Sequence, residues 1–484
     1  MSVEGQAVES GVVEAPVGEA VVPRTVDGFA ILLEESDFHP VAKARPVDSA
    51  ARVDSVDVIR GVALMGILAM NIVGFGWPGN VYSNPTSAPD HDRADIWLWA
   101  FNHLVFDTKM MTLFSMLFGA GLVLMTDRAD GRGAKLGWTY YRRVFWLLMI
   151  GLVHSYLIWD GDILVSYASC GLLLYPVRRW SGRTLIVVGF CLNLLMVPLW
   201  LGFARGVAPF MQATAESVEA RTKIGEKPAN WEKRVADGWK QMAKSEPPKR
   251  EDFLEEIRTY RGGYWGIVKD RAGHLIWGQV LGFLVMEWWF LGGRMLIGMG
   301  LMKLGVFAAA RSNRVYVLMM ALGYGVGLPL MAFDAVHQVR ENFYVGRNLW
   351  KIIGGWPMLT IYGSLPVVFG HIGLVMLICK TRSIPWLTRR LGAAGRMALS
   401  CYLFDSIFCT TLFYGYGFDL TATLHRPMLY AVVLAIWTAQ LLACPLWLEV
   451  FRFGPAEWLW RSLTYGKPQP MRRRPAVGPA ALAA

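Results

Sequence analysis

A chain of 484 residues that is 54% hydrophobic, with 21 Trp and 24 Phe and a mean hydropathy of +0.35, does not read as two or three ordinary soluble domains. Its apolar runs of roughly 16 to 25 residues have the length a bilayer core demands, which makes it a polytopic membrane chain. The formal charge of +11 is no argument for nucleic acid, because the basic residues sit beside the ends of the apolar runs, where orientation rules place them.

Taken in order, residues 1–50 are rich in Val, Ala, Glu and Pro and lack periodicity. No basic stretch leads into a short apolar one, so a disordered cytoplasmic tail is expected there rather than a signal peptide. The first span is expected over 57–77. Arg52 and Arg60 at its start put the N-terminus inside, and Asp57 can pair with Arg60 one turn away. Arg60 and Asn71 fall on one helix face. After a polar loop carrying His91 and Asp92, a second span over 96–126 brings His103, Asp107 and Lys109 near the outer end. Its Gly119 and Gly121 suit close helix contact.

A basic inner loop ends at Arg142 and Arg143. Spans three and four follow as a tight hairpin, 144–159 and 163–177, with His154 inside the first arm and Trp159-Asp160-Gly161-Asp162 at the bend. His154 lies roughly 16 Å along the helix from Arg143, past the midplane. A fifth span covers 184–204. Residues 205–270 are charged and patterned as two or three amphipathic helices on the outer face. Span six, 273–301, holds Glu287 and Arg294 and is long enough to be tilted, or broken at Gly292-Gly293. Spans seven to ten are expected over 315–333, 353–379 (with His371), 397–414 (with Asp405) and 428–449, followed by a basic tail over 451–484.

The expected fold is therefore all-α: a helical bundle of about ten transmembrane helices with both termini cytoplasmic. It divides into transmembrane halves over 51–204 and 271–450, separated by the insert. The charge bias is met at every short loop. All six cysteines fall inside apolar runs and read as small buried hydrophobes, with no metal site implied.

Ionisable groups inside a bundle are costly, face its interior and pair with one another. Here they are His154, His371, Glu287, Asp405 and the bend aspartates, with Asn71 as a further polar group. A neutral histidine beside a carboxylate is what a general base needs to take a proton from a hydroxyl or amine attacking an acyl carbon. The same inventory serves a proton-coupled transporter, and the plainest reading is interhelical hydrogen bonding. No Walker loop, HExxH, GxSxG or dinucleotide fingerprint competes.

Four stretches carry a resemblance: DVIRGVALMGILAMNI at 57–72, LFSMLFGAG at 113–121, IGLVHSYLIWDGDILVSYASCGLL at 150–173, and GRMALSCYLFDSIFCTTLFYGYG at 395–417 with FRFGPAEWLWRSLTYGK at 451–467. They resemble the YeiB-like bacterial membrane proteins of domain of unknown function 418, although that family often carries Asn and Gln where this chain has Cys401 and Asp405. The resemblance implies a place among transmembrane acyltransferases of the bacterial cytoplasmic (inner) membrane. These move an acyl group from cytoplasmic acyl-CoA, here acetyl-CoA, to a glycan, lipid or small-molecule acceptor outside. On that expectation Arg60, Arg142 and Arg143 hold the CoA phosphates. His154, oriented by Asp160 or Asp162, is the base, and Asn71 donates to the oxyanion. His91, His103 and His371 stand as alternatives to His154. The expected partners are membrane lipids and the acceptor, not nucleic acid, and a homo-oligomer is compatible. The competing functions are an exporter of a small or lipid-linked metabolite and a non-catalytic envelope scaffold.

Overall fold

The computed structural model describes residues 54–130, 136–243, 250–343 and 356–473, with two short strand pieces, Thr25–Val26 and Phe29–Ala30. The rest of the expected tail over 1–50 lies outside the described residues. From residue 54 onward the fold is helical. In the first half run α1 (Asp54–Gly76), the short α2 (Gly79–Ser83), α3 (Arg93–Val105), α4 (Lys109–Asp130), α5 (Gly137–Val153), α6 (Leu164–Leu174) and α7 (Gly182–Gly202). The insert supplies α8 (Ala208–Lys223), α9 (Asn230–Ala243) and α10 (Arg250–Tyr260). The second half follows with α11 (Tyr264–Gly282), α12 (Gly293–Lys303), α13 (Asn313–Arg340), α14 (Trp356–Thr381), α15 (Pro385–Arg396), α16 (Ala398–Phe413), α17 (Arg426–Val450) and α18 (Pro455–Tyr465).

Among the described residues, six helical stretches are long and apolar enough to cross a bilayer: Asp54–Gly76, Arg93–Asp127, Gly182–Leu199, Asn313–Arg340, Tyr362–Thr381 and Arg426–Val450. They coincide with six of the ten expected spans. The other four fall on shorter or interrupted helices. The hairpin arms are α5 and the 11-residue α6, and the ninth span is the 16-residue α16. The sixth is broken: a π-helical segment, Phe283–Gly292, separates α11 from α12, so the interruption ends at the Gly292-Gly293 step. The insert forms three helices, and α9 is strongly amphipathic, as its patterning implied. Two helices depart from the sequence reading. The basic loop between the expected eighth and ninth spans contains α15, and the basic tail contains α18, docked through Glu457, whose carboxylate accepts the Leu399 and Ser400 N–H groups that open α16. Cys191 also departs, being exposed on α7.

Helix α1 is the axis. In its most apolar window 78% of the residues are buried, against 22% in α7 and α13, whose Leu194, Leu318 and Leu322 face outward. Without a hydrophobic drive between helices in lipid, close packing must come from small residues. A Cβ at Gly61 would meet the Leu391 backbone of α15, and one at Gly395 the Asp57 backbone of α1. Likewise Gly119 of α4 abuts the Met295 backbone and Gly298 of α12 the Met116 backbone. The contact expected of Gly119 is thus made, whereas Gly121 faces open space. Arg294, fully buried on α12, sits over the Phe290 ring at 3.3 Å and donates to Thr112.

Replacing Gly298 by Val should force α4 and α12 apart and cost about 1–3 kcal/mol. Gly121→Val should be near neutral. Thermal unfolding of the two variants in detergent checks the contrast.

Candidate functional site

The site begins where α5 stops being an ordinary helix. After Val153 the chain widens into a single π turn, His154–Ile158, a feature frequent at functional sites. It then leaves the helix at Trp159, whose N–H donates to the His154 carbonyl at 2.9 Å. The Trp159 indole stacks on Phe75 of α1 with ring centroids 4.0 Å apart, which anchors the bend to the axis. A side chain at Gly161 would collide with that indole. At Gly151 one would strike the Leu164–Val165 backbone of the returning arm, so both glycines are steric requirements of the hairpin.

Asp162 closes the bend with both carboxylate oxygens. Oδ1 receives the Nδ1–H of His154 at 2.8 Å, and Oδ2 receives the backbone N–H of Val165 at 2.8 Å in the first turn of α6. This fixes the tautomer: the proton is on Nδ1, and the Nε2 lone pair is left over. Nε2 is buried and has no partner among the described residues. The Tyr402 ring of α16 lies 5.0 Å away, centroid to centroid.

A cavity of about 800 Å³ lies between the bend, the insert helix α10, α11 and the π segment. Asp160, Asp162 and Ser166 form its hairpin wall. Asp252, Glu255 and Glu256 enter from α10, and Asp270 and Arg271 from α11. Gln279 and Glu287 also line it; Gln279 donates to Ser155 at 3.2 Å, and Glu287 is hydrogen-bonded to Ser166. The imidazole itself is fully buried, one carboxylate behind the wall that Asp162 presents. Asp160 is 41% exposed, with its Oδ1 3.9 Å from Arg271 Nε. Of the two aspartates, Asp162 is thus the one that orients His154.

The other expected residues are placed elsewhere. Asn71 is half-buried on α1 and makes no side-chain hydrogen bond among the described residues. Arg60 pairs with Asp57 at 2.8 Å. Arg142 donates to the Leu463 carbonyl of α18 at 2.8 Å, and Arg143 lies over the Trp460 ring at 3.6 Å. Arg142 and Arg143 therefore grip α18 near the start of α5, while His154 follows its other end, roughly 16 Å along the helix from Arg143. His91 is exposed, with Nδ1 against the Ala88 carbonyl. His371 uses both nitrogens, on Tyr324 and on the Val105 carbonyl. His103 bridges carboxylates, 2.8 Å from Asp334 and 3.7 Å from Asp107, beside the fully buried Lys109. Asp405 is held by Gln440.

Ser166, Arg271, Gln279 and the α10 carboxylates were not singled out as site residues in the sequence. One signal was available: Asp252, Glu255 and Glu256 fall at spacings that share a face of an amphipathic helix.

Residues 301–467 match a family described as "Protein of unknown function (DUF418)". The chain is 31% identical over 423 residues to "Uncharacterized protein YeiB" of Escherichia coli (strain K12), covering 85% of this chain and 95% of that protein. It is 28% identical over 457 residues to "Uncharacterized protein YxaH" of Bacillus subtilis (strain 168), covering 90% of this chain and 100% of that one.

Burial, with the neighbouring Asp160 and Asp270 carboxylates, raises the pKa of Glu256, although the Gly79 N–H donating to it works the other way. An acid whose folded pKa is raised costs stability as pH climbs above its ordinary value. Glu256→Gln keeps a carbonyl for Gly79 and should therefore melt higher than the parent at neutral pH. The difference should close as pH falls below about 4.3, which melting curves across pH 4 to 8 would show.

Proposed function

The chain belongs to the YeiB-like DUF418 family, and from that premise we propose that it is a transmembrane acyltransferase of the bacterial cytoplasmic membrane. In this reading it crosses ten times with both ends cytoplasmic. It moves an acyl group from cytoplasmic acyl-CoA to an acceptor entering from the opposite side. The observation that carries the proposal is the His154–Asp162 pair, with Nε2 free and the carboxylate on the wall of a large cavity.

The chemistry asks little of the remaining residues. Asp162 holds Nδ1–H and stabilises the imidazolium that forms when Nε2 takes the proton of an attacking hydroxyl or amine. Asn71, with its amide uncommitted, is the candidate donor to the oxyanion. Arg60, Arg142 and Arg143, with Arg461 within electrostatic reach of Arg143, form the basic rim for the donor's phosphates. Because Arg142 and Arg143 already hold α18, donor binding in this reading loosens that helix.

A second reading, proton-coupled transport, is favoured by one observation: the buried His103–Asp334 pair with Asp107 and Lys109, a chain of ionisable groups away from the cavity.

His154→Ala should keep acetyl-CoA binding, read by calorimetry, and lose acyl transfer to membrane acceptors by about 10²–10⁴-fold. Asp162→Asn should lose nearly as much, through the tautomer. Absence of any acetyl-CoA binding by the parent protein would sink the transferase. pH-driven flux in proteoliposomes that His103→Gln abolishes would establish the transporter.

A further inference from the structure

The cavity beside Asp162 has a charge pattern that selects its occupant. Among the described residues, seven carboxylates and one guanidinium line it. A concave wall of one sign focuses its field, concentrating ligands of opposite charge and repelling like ones. A polyanion such as acyl-CoA does not enter here. The guanidinium is the second observation. Arg271 is 95% buried, since its relative exposure is 5%. Its Nε and Nη1 donate to nothing among the described residues, and the Asp160 oxygen at 3.9 Å lies beyond hydrogen-bond reach. A buried guanidinium with idle donors on a cavity wall is an oxygen site awaiting a ligand.

We propose that the cavity binds a water-soluble organic cation: a molecule with more ammonium groups than oxyanions, whose ammoniums meet the α10 and α11 carboxylates and whose oxygen meets Arg271. Within the transferase reading, on which this rests, that molecule is the acceptor, and its amine or hydroxyl is what His154 deprotonates. The volume of about 800 Å³ admits a molecule well above the size of a metal ion. The raised pKa of Glu256, set first by burial and then by Asp160 and Asp270, agrees, since a bound ammonium would compensate the buried carboxylate.

The probes form a charge series on one skeleton: L-lysine, norleucine, which lacks the terminal amine, and 2-aminoadipate, which replaces it with a carboxylate. Cadaverine is lysine without its carboxylate. Calorimetry on the full-length protein in detergent should find L-lysine binding at least tenfold tighter than norleucine, with 2-aminoadipate weakest. Lysine should also exceed cadaverine, and Arg271→Met should erase that preference. The pair Glu255→Gln with Glu256→Gln should weaken lysine at least tenfold while acetyl-CoA binding stays as in the parent. Lysine binding no tighter than norleucine overturns the proposal without recourse to any variant, and so does full lysine affinity in the folded double variant. The outcome is separable from the transferase itself. Lysine binding in a protein that never transfers an acyl group leaves the cation site standing and the transferase fallen. Transfer to neutral acceptors with no lysine binding does the reverse.

Discussion

One carboxylate does two jobs on which this structure turns. Asp162 receives the His154 imidazole on one oxygen and the first turn of α6 on the other. A buried carboxylate is expensive unless its lone pairs are met, and here both oxygens are. The same carboxylate that starts the returning helix therefore aims the histidine. Folding the hairpin and setting the tautomer are one event, and from the π turn the His154 ring meets the carboxylate eight residues further on. Shape and chemistry cannot be separated at this bend.

The surroundings divide the polar groups by how completely they are spent. His371 and His91 make ordinary contacts, Asp405 has Gln440, and His103 lies between two carboxylates. The buried members of this set each have a hydrogen-bonding partner within the protein, as buried polar groups normally require. His154 Nε2 and the Arg271 donors are among the exceptions; Arg271 lines the cavity, and His154 lies behind Asp162. Other buried polar atoms also lack partners among the described residues, but those of Arg271 belong to a residue lining a cavity large enough to receive something.

Much of this was legible in the sequence, for identifiable reasons. Apolar runs of bilayer length located six helices long and apolar enough to span, because length and hydropathy are local properties. The His154 and Asp160-Gly161-Asp162 juxtaposition was legible because a tight hairpin keeps sequence neighbours together. Which aspartate orients the ring was not, since that depends on the π turn, a one-residue change of register with no sequence signature. The short spans were harder still: α6 and α16 are below spanning length, and hydropathy alone does not say where a helix ends. Arg142 and Arg143 read as a phosphate rim, yet their partners, Leu463 and Trp460, lie more than three hundred residues away in a segment read as tail. The cavity depended on the insert folding over the bend, a long-range arrangement that the charge pattern of 205–270 could only suggest.

The polarity of the whole molecule then follows from where charge could be placed cheaply. Guanidinium groups gather at one end of α5, where Arg142 and Arg143 hold α18, and carboxylates gather past the other end, around Asp162. Beside them α1 forms the buried axis, closely packed through its glycine contacts. A polyanion and a cation arriving at such a protein are sorted to opposite ends by the fields alone, before any specific contact forms. The buried His154 lies between the two. A reaction joining two such substrates would need no moving gate to keep them from each other's entrance, because each entrance already repels the wrong one.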